Sequence, residues 1–255
     1  MSPDAVRALA AQLHAARRAA VWATVGDRVP ANPDEAYAVQ AEIVRLSGEK
    51  VRGWKVTALK PADQSAYGGE RPVAGPLLAG AVYAAPTELA LSHFLAPILE
   101  CEFAFLLGRD LPARAAPYTL DEVADAVAAM VPAFEIADGR VPSQAPGALR
   151  LADSMGNGAF VYGAPLRDWR SFDRAGTVSL SLDGVFVGEG SGGRILGDPL
   201  KAVQALANAQ PLSSPLLAGQ IVTTGSATMP LRVDKPCLAM ADFGPLGMIS
   251  LRLTA

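Results

Sequence analysis

The sequence predicts an α+β protein: a mixed, largely antiparallel β core with a helical N-terminal part. Helical periodicity fills the first fifty residues. Short apolar runs broken by Gly, Pro and Asp follow from Val51, and one of them carries a hairpin turn in place of regular strand–helix alternation. A doubly wound parallel sheet fits this order poorly.

Ser2-Pro3-Asp4 reads as a helix start, and Val6, Leu9, Ala10 and Leu13 then recur at helical spacing. A second helix follows 32-NPDE-35, with Ala36, Val39, Ile43 and Leu46 on one face, and stops at Gly48. The runs 53-GWKV-56, 98-ILECEFAFLL-107, 130-MVPAFEIA-137, 158-GAFVYG-163 and 220-QIVTTG-225 are expected strands. Two more helices are expected: 119–130, where Thr119 and Glu122 have capping-box spacing, and 198–209, with Asp198 as cap and Pro199 in the first turn. In 177-TVSLSLDGVFVGEG-190, Asp183-Gly184 suits a type I′ turn because both residues tolerate positive φ, so an antiparallel hairpin is expected. With no repeat, low-complexity tract or clear linker, residues 1–255 read as a single domain in which 1–50 form a helical subregion.

Composition removes whole function classes. A net charge of −3 in a chain that is 51% hydrophobic offers no basic face for nucleic acid or an anionic membrane. Apolar stretches are broken well before the roughly 18 to 20 residues that span a bilayer. The N-terminus lacks the basic start, apolar run and cleavage site of a secretory signal. Cys101 and Cys237 form neither a disulfide framework nor a C-x-x-C pair, so a reducing cytoplasm is the expected location. Three other signals lead nowhere. The stretch 188-GEGSGG-193 leaves a hairpin, not a βα turn, and 242-DFG-244 has no kinase companions. Two histidines and no G-x-S-x-G elbow leave a serine triad without support.

The chemistry concentrates in 97-PILECEFAFLL-107. Alternation along a strand points Glu100 and Glu102 the same way, with Cα atoms roughly 6.5 to 7 Å apart, while Leu99, Cys101, Phe103 and Phe105 point to the core. Cys101 on that core side is expected to be inert. Two like charges on one face must be protonated, paired with cations, bridged by a metal, or simply solvent-facing. In 132-PAFEIADGR-140, Glu135 points away from the side shared by Phe134 and Ile136, which makes a third carboxylate of the same kind. Three carboxylates without clustered histidine suit a hard cation, Mg²⁺ or Mn²⁺. With only His14 and His93, the chain is poorly equipped for a histidine-based zinc site.

The segments 53-GWKVTALK-60, 97-PILECEFAFLL-107, 109-RDLP-112, 131-VPAFEIADGR-140, 196-LGDPLKAVQALA-207 and 219-GQIVTTGSA-227, in this order and spacing, resemble the 2-keto-4-pentenoate hydratase and 4-oxalocrotonate decarboxylase group of the fumarylacetoacetase superfamily. The resemblance covers nearly the whole chain. It implies a Mg²⁺ or Mn²⁺ site built by Glu100, Glu102 and Glu135, which holds a 2-oxo acid through its carboxylate and 2-oxo oxygen. It also implies a homo-oligomer, with a complex with a related pathway enzyme as a further partner reading. Lys55 falls on the family's lysine position, as carboxylate binder or proton carrier, and Lys60 ranks second. Asp153 in 151-LADSMGNG-158 falls near the substrate, and Thr224, Gly225 and Ser226 match a turn whose N–H groups face a substrate carboxylate. The activity implied is hydration of a 2-hydroxy-2,4-dienoate in aromatic catabolism. The alternatives are decarboxylation of a 2-oxo-3-enedioate, C–C hydrolysis of an acylpyruvate, or a non-catalytic partner subunit that binds 2-oxo acids. Gly80, Ile98 and Asp198 depart from the family's Asp, Lys and His, and each removes a charge or proton carrier expected near the reaction centre.

Overall fold

The computed structural model describes residues 1–210 and 215–255. Helix α1 (Pro3–Ala19) starts where Ser2 accepts the Ala5 N–H at 3.2 Å, and α2 (Pro33–Ser47) starts where Asn32 accepts the Glu35 N–H at 3.0 Å. The chain then runs through β1 (Val51–Thr57), α3 (Pro61–Gln64), β2 (Val73–Leu78), β3 (Val82–Ala84), β4 (Thr87–Ala90) and β5 (Ile98–Leu107). Next come α4 (Leu120–Ala126), β6 (Val127–Ala137), α5 (Gly147–Ala152), β7 (Asn157–Tyr162), β8 (Thr177–Leu182) and β9 (Val185–Ser191). Last are α6 (Leu200–Asn208), β10 (Ile221–Ser226), β11 (Leu231–Arg232), β12 (Cys237–Asp242) and β13 (Met248–Thr254).

The strands form two sheets. The larger has the order β2-β1-β10-β5-β6-β7-β3, with β11 also on β5, and the smaller has the order β4-β13-β12-β8-β9. Pairing is mixed and mostly antiparallel, with parallel contacts at β1–β10, β3–β7 and β4–β13. This is the expected α+β architecture. The β8–β9 hairpin turns at Asp183 (φ +50°) and Gly184 (φ +80°), as the Asp-Gly pair requires.

Strand β5 is central, and its two faces differ in chemistry. Leu99, Cys101, Phe103 and Phe105 enter the main core, which the smaller sheet closes from the other side with Val178, Leu180, Ala239, Ala241 and Leu251. There Phe103 meets Phe243 edge-on at 5.2 Å, and Phe105 meets Trp169 at 5.7 Å. Burial drives the Cys101 thiol up to about 12, so it stays protonated, in keeping with its core placement. The N-terminal helices pack through Leu9, Leu13, Val39 and Ile43 against β2 and α5 as a second core. The Gln40 amide ties α2 to the Ala74 carbonyl at 3.1 Å and also reaches Leu151.

The helix expected over 119–130 stops short. Its capping box forms, with Thr119 accepting the Glu122 N–H at 3.2 Å and Glu122 accepting the Thr119 N–H at 2.8 Å, but the helix ends at Ala126. From Val127 the chain is extended and ladders onto β5 through Ala129–Leu106 and Met130–Phe105. Sheet pairing along the central strand overrides the helix propensity of Ala128, Ala129 and Met130. Strands β2, β3, β4, β11, β12 and β13 go beyond the sequence expectation.

Candidate metal centre

The site is built on the non-core face of the larger sheet, where four strands bring their side chains to one level. On β5, Glu100 and Glu102 are two residues apart. Glu100 faces Glu135 of β6 in direct register, and Glu102 faces Ala133. On the other side of β5, Thr223 of β10 stands opposite Ala104, and Lys55 of β1 stands opposite Thr223. Alternation therefore places Lys55, Thr223, Glu100, Glu102 and Glu135 on one surface. Carboxylate oxygens of Glu100, Glu102 and Glu135 lie within 4.8 Å of one another. Glu102 and Glu135 are buried, at 1% and 2% exposure, and Lys55 is 7% exposed.

Lys55, Glu135 and Glu102 are held by polar partners. Lys55 Nζ donates to Glu135 Oε1 and, at 3.1 Å, to the Met155 carbonyl. Thr223 Oγ1 donates to Glu102 Oε2, which also accepts the Gly225 N–H at 3.0 Å. Burial, with Glu135 beside it, pushes Glu100 up to about 7. Burial, then Glu135 and Glu100, push Glu102 well above the usual carboxylate range. Burial works against the Lys55 ammonium, but Glu135 and Glu100 outweigh it and leave its pKa above the ordinary value. Three ionised carboxylates and one ammonium leave two negative charges in a desolvated cradle, which fits a divalent hard cation.

The Met155 carbonyl reaches Lys55 because a short turn lies flat on β2. Ser154 (φ +54°) and Met155 (φ +59°) are both left-handed, an uncommon state for residues with a side chain. Gly75 admits this turn: a Cβ there would lie 2.4 Å from the Ser154 carbonyl oxygen. Asp153 anchors the turn from below. It is fully buried, pairs with Arg17 at 3.4 Å and accepts the Arg140 N–H. Burial raises its pKa, opposed first by Arg17. Asp138 accepts N–H groups from Leu95 at 3.0 Å and Ala96 at 2.7 Å, pairs with Arg140, and so fixes the approach to β5.

A cavity of about 560 Å³ opens next along this face of the sheet. Ile98 and Ala137, the register pair next to Glu100–Glu135 on the same face, form part of its wall together with Asp153 and Met155.

Of the other sequence candidates, Gly225 reaches this cluster through its N–H on Glu102, and Lys60, Thr224 and Ser226 bond elsewhere. Lys60 is exposed at the start of α3 and pairs with none of the three glutamates. It shares a separate cleft of about 170 Å³ with Thr224, Gly225 and Ser226. The Thr224 hydroxyl donates to the Phe103 carbonyl at 2.7 Å and the Ser226 hydroxyl to the Thr228 carbonyl at 2.9 Å. Because the Gly225 N–H is taken by Glu102, the turn positions a glutamate where the resemblance implies free donors for a substrate. Two of the three departures are also remote from the centre. Gly80 binds Glu49 through its N–H, and Asp198 pairs with Arg174 at 2.7 Å and accepts the Leu200 N–H at 3.0 Å, while Pro199 and not Asp198 is the N-cap of α6. Only Ile98 stands beside the carboxylates. Thr223, Arg17, Asp138 and Arg140 emerge from the structure alone; strand alternation next to Thr224 was the one available signal, and it singles out Thr223.

No family model matches the chain. Among curated relatives, 2-keto-4-pentenoate hydratase of Burkholderia vietnamiensis is 31% identical over 228 residues, covering 86% of this chain and 85% of the relative. The chain belongs to the 2-keto-4-pentenoate hydratase family. A second relative, 2-oxo-hept-4-ene-1,7-dioate hydratase of Escherichia coli, is 30% identical over 231 residues, with 86% of each chain covered. Among solved structures, 4-oxalocrotonate decarboxylase from Pseudomonas putida G7, complexed with magnesium and adipate, superimposes with a TM-score of 0.88. At 24% identity, covering 99% of this chain and 98% of that one, it shows that the two share a fold.

Proposed function

We propose that the protein is a hydratase dependent on Mg²⁺ or Mn²⁺, which adds water to a 2-hydroxy-2,4-dienoate to give a 4-hydroxy-2-oxo acid in the breakdown of aromatic compounds. The observation that carries this reading is the largely buried triad of Glu100, Glu102 and Glu135 with Lys55 in contact, next along the strand face from a cavity walled by Ile98 and Ala137. The hydratase names of curated relatives over most of the chain support it. The three glutamates would hold the ion, and when bound it supplies Lewis acidity toward a 2-oxo group and its carboxylate.

The chain's own residues supply the proton chemistry. In the reaction the enol proton leaves O2 and C5 gains a proton, which makes a 2-oxo-3-enoate; water then adds its hydroxyl to C4 and a proton to C3. Lys55 spends two of its three N–H donors on Glu135 and Met155, which leaves one for the reacting acid. Its contact with the cluster makes it the proton carrier of this reading. Asp153, buried in the cavity wall, holds the turn that carries Met155 and so positions Lys55; the Thr224–Ser226 turn meets the cluster through the Gly225 N–H on Glu102, and Lys60 shares the cleft beside that turn.

Further readings concern partners and place. The small-sheet edge β9 exposes Val185 (66%), Phe186 (62%) and Val187 (40%), an apolar edge that supports a homo-oligomer and is open to a related pathway enzyme. Among the described residues no helix is long and apolar enough to cross a membrane, and we place the protein in the cytoplasm, acting as a single domain.

The test is direct. Protein with Mg²⁺ and 2-hydroxypenta-2,4-dienoate should bleach the dienol absorbance, and an unchanged spectrum sinks the hydratase reading. Release of CO₂ from a 2-oxo-3-enedioate would favour the decarboxylase instead.

A further inference from the structure

The cavity next along the glutamate-bearing face is part apolar and part cationic. Ile98 and Ala137, one pleat from the Glu100–Glu135 pair on the same face, line it together with Val141, and two guanidiniums, Arg150 and Arg232, also line it. The two acids in the wall are already spent: Asp138 on Arg140 and on the N–H groups of Leu95 and Ala96, Asp153 on Arg17 and the Arg140 N–H. Among the described residues no carboxylate pairs with Arg150 or Arg232.

Neutral groups hold Arg150 in place. Its Nε donates to the Ala145 carbonyl at 3.2 Å and its Nη1 to the Tyr67 hydroxyl at 3.3 Å, and the guanidinium lies 4.8 Å from the centre of the Tyr67 ring. These contacts orient the cation without neutralising it. Arg232 is the ladder partner of Ile98 across β11–β5, so it rises from the same face, with Cβ atoms about 5 Å apart. Ile98 is itself one pleat, about 7 Å, from Glu100. A short carbon chain whose 2-oxo-acid end lies at the glutamates therefore carries its far end along apolar wall to unpaired guanidinium.

We propose that Arg232 and Arg150 bind a second carboxylate at the far end of the substrate, so that a 2-hydroxy-2,4-diene dioate is preferred over the monocarboxylate. This rests on the hydratase reading for the reaction, but the anchor is testable on its own. A guanidinium fork takes a carboxylate through paired charge-assisted hydrogen bonds, so a terminal carboxylate is worth about tenfold or more in affinity.

Titration of Mn²⁺-loaded protein with 2-oxoadipate and with 2-oxohexanoate, which differ only in the terminal carboxylate, measures the anchor by calorimetry without turnover. Wild type should bind the dioate about tenfold more tightly, and Arg232→Met should remove most of that advantage while leaving 2-oxohexanoate within about twofold. Arg150→Lys should retain more of the advantage than Arg150→Met, which separates loss of charge from loss of packing. Equal binding of the two acids by wild type, or variants that weaken both acids equally, would overturn the proposal. Turnover of the pentadienoate without any dioate advantage would remove the anchor and keep the hydratase; a dioate advantage lost in Arg232→Met, without hydration of either dienol, would do the reverse.

Discussion

Glu100 of β5 and Glu135 of β6 are ladder partners, two carboxylates set directly opposite each other on a buried face. Like charges so placed destabilise a sheet, and Lys55 on Glu135 balances only one of the three acids in the cluster. Burial and this repulsion raise Glu100 to about 7 and Glu102 well above the usual carboxylate range, so in the absence of metal protons do the rest. The fold thus stores a repulsion that a divalent cation relieves.

Substitution within the triad should therefore change sign with metal. Glu102→Gln removes one buried charge, and metal-free protein is expected to gain about 1 to 2 kcal/mol. With saturating Mn²⁺ the same variant should be less stable than wild type, and Mn²⁺ affinity should fall by at least about 100-fold. Thermal melts with and without Mn²⁺, together with a metal titration, check both; a variant that is destabilised equally in both conditions would show a purely structural glutamate.

The pH dependence follows from the same residues. A carboxylate whose folded pKa is raised binds protons more tightly in the folded state, so its contribution is full below the unfolded value near 4.5 and is lost as pH rises through the folded value. For Glu100 that window runs from about 4.5 to about 7. Metal-free protein should lose stability across it, and Mn²⁺ affinity should climb across it because binding must release those protons. Melting temperatures at pH 5, 6 and 7.5 would test the first; proton release on metal titration would test the second.

Lys55→Met separates catalysis from metal binding. The variant keeps all three carboxylates, so Mn²⁺ affinity should be unchanged or higher, whereas kcat should fall by about 10² to 10⁴ if Lys55 carries the proton. Metal-free protein should be destabilised by about 3 to 5 kcal/mol, since Glu135 loses its buried partner, and Mn²⁺ should recover part of this. Equal losses in affinity and kcat would make Lys55 a scaffold residue only.

How far the sequence reached is visible residue by residue. Glu-x-Glu in an apolar strand and Glu135 in the next run were legible because strand alternation alone fixes their common side. That Glu100 lies opposite Glu135, or Lys55 opposite Thr223, was not, since register depends on pairing between distant segments. Asp138 and Arg140 were equally hidden: each reads as a surface polar residue until the β6 exit folds over the approach to β5. The strand half of 119–130 was lost to a local capping signal that is correct as far as Ala126. Ile98 looked like a missing charge from sequence, and across the ladder Arg232 stands at the same level of the wall.

Gly75 offers a last test, because it acts on the centre through backbone alone. Gly75→Ala places a Cβ 2.4 Å from the Ser154 carbonyl oxygen, so the turn at Ser154 and Met155 must lift from β2. Lys55 then loses its Met155 acceptor while keeping Glu135. The expected cost is about 1 to 3 kcal/mol of stability, with a fall in kcat larger than any change in Mn²⁺ affinity, because the three metal-facing carboxylates stand on β5 and β6 and not on the displaced turn. Gly188→Ala on β9, where a Cβ meets nothing within 4 Å, is the matched control and should stay within about 0.5 kcal/mol of wild type. A Gly75→Ala protein that melts and turns over like this control would mean that the turn does not position Lys55.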